Sequence, residues 1–286
     1  MVAAVSLIQA FILGLVQGLT EFLPISSSGH LILVPWLFNW HYLLAHPDFN
    51  KTFDVALHLG TFIALVLYFW RDIGRLLAAW GRSLTERRVT TADARLAWLL
   101  IVSTIPAGLF GVFLESFIED QLGKPYVIAV MMIVFAVVMW YVDRHARLER
   151  GIEHVKLLDA ATIGLAQALA LAPGVSRSGI TMVTGIALKM KREAAARYSF
   201  LMSIPVIGGA AAYKALGVAK HGLPAGAAAP FLVGMATAAL SGFAAVWFLL
   251  GYLRRHDFRP FVYYRLVVGL AVLLIIAVGL RAASGI

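Results

Sequence analysis

Six stretches of this chain, about 53–70, 96–114, 126–142, 198–218, 229–252 and 261–280, are apolar over nearly the length a helix needs to cross a bilayer. Such a helix takes roughly 20 mostly apolar residues. In hydrocarbon a backbone N–H or C=O finds no water, so it must pair within its own segment or a closed barrel. Composition agrees. The chain is 61% apolar and 14% charged over 286 residues, against about 45–50% and ~25% in soluble domains, and its mean hydropathy is +0.85. Water-soluble enzyme folds and disorder are excluded as first readings. The absence of Cys excludes disulfides, thiolate chemistry and Cys-bound metal. Residues 1–20 lack a basic start, so no cleavable signal peptide is expected.

Two further apolar regions do not read as single spans. Region 2–44 is broken by Pro24 and Ser26-Ser27-Ser28-Gly29, and region 157–188 by Pro173-Gly174 and Ser176-Arg177-Ser178-Gly179. Proline and small polar residues interrupt a helix, so each region predicts two half-helices and a polar turn. The basic residues set the direction. Segments 71–95, 143–156, 189–197 and 253–260 hold 17 of the 24 Lys and Arg, while Lys51, Lys124, Lys214, Lys220 and Arg281 mark the other ends. The positive-inside rule places the four rich segments in the cytoplasm. The formal charge of +9 then reports basic loops beside anionic headgroups rather than a nucleic-acid partner. Region 157–188 leaves a basic loop and returns to one, so it predicts a hairpin re-entering from the cytoplasm. Region 2–44 predicts one re-entering from outside.

An internal repeat appears at an offset of 150. Across 13–29 and 163–179, seven of 17 positions are identical, including Gln17/Gln167, Ser26/Ser176, Ser28/Ser178 and Gly29/Gly179. Each half then holds one re-entrant hairpin and three spans, repeat one over about 1–142 and repeat two over about 157–281. An odd number of spans inverts the second half, which brings two polar turns together near the midplane. The expected fold is all-α: one polytopic domain, 1–286, with six transmembrane helices and two re-entrant hairpins.

Of 15 acids, Glu21 alone lies deep in an apolar segment, and Arg177 is read as the base at similar depth. Charge there is expensive and faces a cavity or a partner. Gln17 and Glu21, four residues apart, share a helix face. The serines stand where second half-helices begin, where free N–H groups and the helix dipole favour an anion. Arg177 adds a guanidinium that makes forked hydrogen bonds to phosphate. Helix caps alone would also explain the serines, and a lock between Glu21 and Arg177 would explain that pair.

The runs Gln17-Gly18-Leu19-Thr20-Glu21-Phe22-Leu23-Pro24, Ser26-Ser27-Ser28-Gly29-His30 and Pro173-Gly174-Val175-Ser176-Arg177-Ser178-Gly179-Ile180-Thr181 resemble the bacterial undecaprenyl-pyrophosphate phosphatases of the bacitracin-resistance type. Arg197-Tyr198-Ser199-Phe200-Leu201 and the order of apolar segments extend the resemblance over nearly the whole chain. It implies cleavage of phosphate from the lipid carrier undecaprenyl pyrophosphate at the outer face of the plasma membrane. That recycles the carrier for peptidoglycan synthesis and confers bacitracin resistance. It implies catalytic roles for Glu21, Ser27, His30 and Arg177. It also implies a pyrophosphate-binding set of Ser26, Ser28, Gly174, Ser176, Ser178 and Thr181. A divalent cation, Mg²⁺ or Ca²⁺, is expected on Glu21 with Gln17. Many members carry Glu where this chain has Gln17, so a two-carboxylate mechanism is not expected. A homodimer is left open.

Ser27 is the first choice of nucleophile with Glu21 or His30 as base, and His30 or a metal-bound water are the alternatives. A transporter or flippase of a phosphorylated lipid is the competing class, since broken helices meeting at the midplane are also a transporter architecture. A transporter needs the cationic site but no nucleophile.

Overall fold

The computed structural model describes residues 5–221 and 227–283, with side chains described outside 47–48, 112–121 and 211–221. Residues 2–4 of the first broken region and the side chains of Lys214 and Lys220 lie outside that set. The regular elements among the described residues are α-helices, two short 3₁₀ turns and one isolated bridge. The helices are α1 (Leu7–Phe22), α2 (Ser27–Phe38), α3 (His41–Ala45), α4 (Pro47–Thr85), α5 (Ala92–Leu122), α6 (Pro125–His145), α7 (Leu157–Ala168), α8 (Arg177–Ala187), α9 (Arg192–His221), α10 (Ala228–Tyr252) and α11 (Arg259–Ala277). Among the described residues five are long and apolar enough to cross a membrane: Phe49–Thr85, Ala92–Gly111, Pro125–His145, Ala228–Tyr252 and Arg259–Ala277. Their outward faces carry large apolar side chains such as Leu240 and Trp247, 76% and 67% exposed. Lipid, not water, suits such a surface. The protein is a multi-helix membrane-spanning bundle. The expected span 198–218 falls within α9.

Both broken regions are helix–turn–helix. α1 starts on a reciprocal cap, in which Ser6 Oγ accepts from Gln9 N and Gln9 Oε1 from Ser6 N, satisfying two otherwise orphan donors. It stops before Pro24. α1 and α4 both pack on α10, and glycine allows the approach. A methyl group on Gly18 would lie 1.9 Å from Ser241 Oγ, so any larger residue there would force α1 and α10 apart.

The four basic segments meet at one end of the bundle. Arg197 pairs with Asp72 at 2.6 Å, Arg192 with Asp143 at 2.6 Å, and Arg95 donates to the carbonyl of Glu153. Glu149 and Arg150 donate backbone N–H groups to Lys189 O, and Lys191 N returns a bond to Arg150 O. Thus the chain leaves this end before α7 and comes back to it after α8. Those two helices have 12 and 11 residues, each well short of the roughly 20 a span needs. At the opposite end Trp36 Nε1 donates to Ala282 O and Arg281 to Leu37 O.

Candidate active site

The two turns face each other in the interior. Ser26 and Ser176, equivalent in the repeat, adopt φ/ψ of 78°/93° and 76°/112°. This backbone is uncommon for a residue with a side chain. Each hydroxyl accepts from the glycine N–H three residues on, Gly29 and Gly179, and so caps α2 or α8. The turns are also stitched together. Gly174 N donates to Ser26 Oγ at 3.1 Å, and Ser178 Oγ to Leu23 O at 3.2 Å.

Glu21 stands at the centre, with its side chain only 5% exposed. Its Oε1 accepts from Arg177 Nη2 at 2.5 Å. Its Oε2 accepts from Gln17 Nε2 at 3.1 Å and from Ser27 Oγ. One carboxylate thereby joins the acid of the first region to the serine of the first turn and the guanidinium of the second. The pairing of Glu21 with Arg177 and the placement of Ser27 beside them belong to one constellation.

The other expected residues divide by accessibility. Ser27, Ser28 and Arg177 are partly exposed, whereas Ser26, Gly174, Ser176, Ser178 and Thr181 are buried. The buried set is occupied within the protein. Thr181 Oγ1 bonds to Arg177 O and to Ser199 Oγ at 2.8 and 2.7 Å. His30 is also enclosed, 7% exposed. Its Nδ1 lies 2.7 Å from Ser26 O and its Nε2 2.7 Å from the Tyr264 hydroxyl. A carbonyl only accepts, so Nδ1 carries the proton and Nε2 accepts from Tyr264. The imidazole braces the Ser26 turn.

Three participants are not in the sequence-derived set. Arg265 corrects the reading of Arg177 as the one deep base. It is 0% exposed and donates to the carbonyls of Pro24, Gly174 and Met132. Pro24 and Gly174 are equivalent positions of the repeat, so one guanidinium ties the two turns symmetrically. Its isolation in an apolar helix was the available signal. Tyr264 orders His30. His58 Nε2 lies 3.7 Å from Glu21 Oε2; it lies inside the expected span 53–70 and belongs to neither broken region.

Among the described residues no three of His, Cys, Asp and Glu cluster as a metal centre. Gln17 Oε1 is nonetheless buried without a hydrogen-bond partner, although its Nε2 is used. An orphaned buried oxygen beside a carboxylate is the donor set that a hard cation takes when most of its ligands are water and phosphate.

The family model described as "Bacitracin resistance protein BacA" matches residues 10–271. An undecaprenyl-diphosphatase of Geotalea daltonii is 46% identical over 274 residues, covering 96% of this chain and 99% of the relative. Undecaprenyl-diphosphatases of Moorella thermoacetica and Pelobacter propionicus are 47% and 45% identical over 277 and 276 residues, again 96% of this chain and 99% of each relative. The matched span contains both turns, Glu21, Arg177 and Arg265.

Proposed function

This chain belongs to the bacitracin resistance protein BacA family, and on that premise we propose that it hydrolyses undecaprenyl diphosphate to undecaprenyl phosphate and inorganic phosphate. The product is the lipid carrier returned to peptidoglycan synthesis, and its recycling accounts for bacitracin resistance. The observation that carries the reading is the Glu21 carboxylate held between Ser27 and Arg177. A transporter would need the cation but not a hydroxyl hydrogen-bonded to a carboxylate.

Ser27 Oγ attacks the terminal phosphorus. The Oγ–P bond forms, the bond from that phosphorus to the bridging oxygen breaks, and undecaprenyl phosphate leaves. Glu21 Oε2 takes the hydroxyl proton, because it already accepts the Ser27 hydrogen bond. Glu21 gives that proton to the departing undecaprenyl phosphate, then takes one from a water that attacks the phosphoserine phosphorus; the P–Oγ bond breaks, Ser27 Oγ regains the proton from Glu21, and inorganic phosphate leaves. Negative charge grows on the phosphoryl oxygens, so catalysis is mostly positioning and charge stabilisation. Arg177 uses one nitrogen on Glu21 and, being partly exposed, offers the rest of its fork to those oxygens. Ser28 is also partly exposed, while His30, Ser26, Ser176, Ser178, Gly174 and Thr181 hold the turns. Mg²⁺ or Ca²⁺ would be held by Glu21 and Gln17 Oε1 and would supply positive charge to the phosphates.

The architecture is read as six spans plus two re-entrant hairpins in an inverted repeat. The short α7 and α8 between adjoining residues 150 and 190 support it, as do the matched turn geometries. The end rich in arginine is cytoplasmic by the positive-inside rule, so the site opens outward from a bacterial plasma membrane. The test is phosphate release from a C55 isoprenoid diphosphate by the purified protein, with and without chelator. Turnover is expected, lost with chelator and restored by Mg²⁺ or Ca²⁺. No phosphate release under any metal would move the transporter reading ahead. Full turnover after metal stripping would remove the cation alone.

A further inference from the structure

Two adjoining cavities lie at the arginine-rich end of the bundle, and none of their residues belongs to the Glu21 site. One, of about 210 Å³, is lined by Trp140, Arg144, Arg192 and Arg259 together with Asp143 and Asp257. The other, of about 480 Å³, shares Arg192, Asp257 and Arg259 and adds Tyr252, Arg255 and Tyr263. Two of the four arginines are neutralised. Arg192 pairs with Asp143 at 2.6 Å and Arg259 with Asp257 at 2.7 Å. Among the described residues Arg144 and Arg255 pair with no carboxylate. Arg144 instead lies over the Trp140 ring, 5.5 Å from its centroid. The joined cavities thus carry two uncompensated guanidinium charges, both on exposed residues.

What continues from the arginines decides the class of anion. On α11, Arg259 heads a stripe of exposed Tyr263, Val267, Leu270 and Leu274. On α6, Arg144 heads a stripe of exposed Trp140, Val137, Val134 and Val130. Residues three or four apart share one helix face. The heads of both stripes line the same cavity, and α6 and α11 pack closely: a methyl group on Gly269 would lie 2.9 Å from Ala129 O. The two apolar stripes therefore leave one basic cavity along adjoining helices. A free phosphate or an acidic peptide would use the arginines and leave the stripes uncovered. A phospholipid uses both, with its headgroup on the arginines and its acyl chains on the stripes. Trp140 and Tyr263 stand where the two meet, as aromatic rings do at headgroup level. A guanidinium fork matches phosphate oxygens, and basic pockets between transmembrane helices hold anionic headgroups.

We propose that the groove between α6 and α11 is a binding site for an anionic phospholipid of the leaflet at the arginine-rich end. Its phosphate is drawn to the uncompensated Arg144 and Arg255, and its chains lie along the two stripes. The inference rests on the membrane-spanning bundle and not on hydrolysis, because no residue of the Glu21 constellation takes part. A lipid that binds only the folded protein also stabilises it by mass action.

The test places the full chain in bilayers of phosphatidylglycerol and phosphatidylcholine in equal parts, extracts it into detergent and reads the retained lipid by native mass spectrometry. The parent is expected to keep phosphatidylglycerol over phosphatidylcholine. The double variant Arg144→Gln/Arg255→Gln should weaken that retention on the order of thirtyfold, since each arginine near an anionic surface contributes about fivefold. Arg82→Gln/Arg88→Gln removes the same charge from exposed arginines of the same end, outside both cavities, and should keep the parental retention. Equal losses in the two double variants would reveal a diffuse basic field and overturn the site. A parent that keeps both lipids alike would overturn it as well. Glycerol phosphate, which has the anion without the chains, should not displace the lipid at constant ionic strength; displacement would assign the cavities to soluble phosphoesters instead. A further measurement needs no variant to fold. Photoreactive phosphatidylglycerol should label the parent within 130–144 of α6 and 255–274 beside and along α11, and label confined to other segments would overturn the proposal.

Discussion

Ser26 and Ser176 share a backbone conformation, a capping bond to the glycine three residues on and a serine two residues on. Around the first turn stand Glu21, Ser27 and His30; at the equivalent positions of the second stand Leu171, Arg177 and Ile180. The scaffold is duplicated and the chemistry is divided. One turn supplies the hydroxyl and its carboxylate, and the other supplies the cation. On the proposed reading the base and the phosphate-binding fork come from different turns, so the site forms only where the turns meet. The stitching is unequal too. Gly174 N–H bonds across to Ser26, but its repeat equivalent is Pro24, which has no N–H to return the bond to Ser176.

The largest effect should come from breaking the division of chemistry. Arg177→Lys keeps the charge but loses the planar fork, and removing one charge-stabilising donor costs on the order of 10²–10³ in rate. Ser27→Ala should fall at least as far. Phosphate release by membrane-inserted protein that still binds the lipid diphosphate checks both; near-parental turnover of Ser27→Ala would pass the nucleophile to His30 or water.

Cutting the tie between the turns should cost stability next. Arg265→Met leaves the carbonyls of Pro24 and Gly174 without their donor. A buried group stripped of its partner costs about 1–3 kcal/mol, so a loss of roughly 3 kcal/mol or more is expected in denaturation of the purified protein, whatever the substrate. An unchanged midpoint would show that the turns hold without the clamp.

The smallest effect sharpens the asymmetry. Ser176→Ala removes a cap and should cost ~1 kcal/mol. Ser26→Ala removes a cap and the acceptor of Gly174 N–H, so it should cost about 1 kcal/mol more by the same hydrogen-bond accounting. Equal losses for the two variants in one denaturation series would mean that the cross-turn bond contributes nothing.

Much of this was legible in order of residues. Apolar runs of span length announce helices in lipid because a solvent without hydrogen bonds permits little else. Proline and serine-rich turns, being local, revealed the breaks and their repetition, and a charge inside hydrocarbon marked Glu21 and Arg177 by its cost. What pattern could not supply was direction of contact. Ser176, Ser178 and Thr181 look like phosphate ligands in sequence; in the fold they are buried and hydrogen-bonded within the protein, while Ser27, Ser28 and Arg177 are partly exposed. Arg265 lies 88 residues beyond Arg177 and His58 lies on a different helix from Glu21. Only packing brings one guanidinium to two repeat-equivalent carbonyls and one imidazole to the carboxylate. Periodicity and composition are properties of neighbours along the chain, whereas a site made by two facing turns is a property of distances between segments far apart in it.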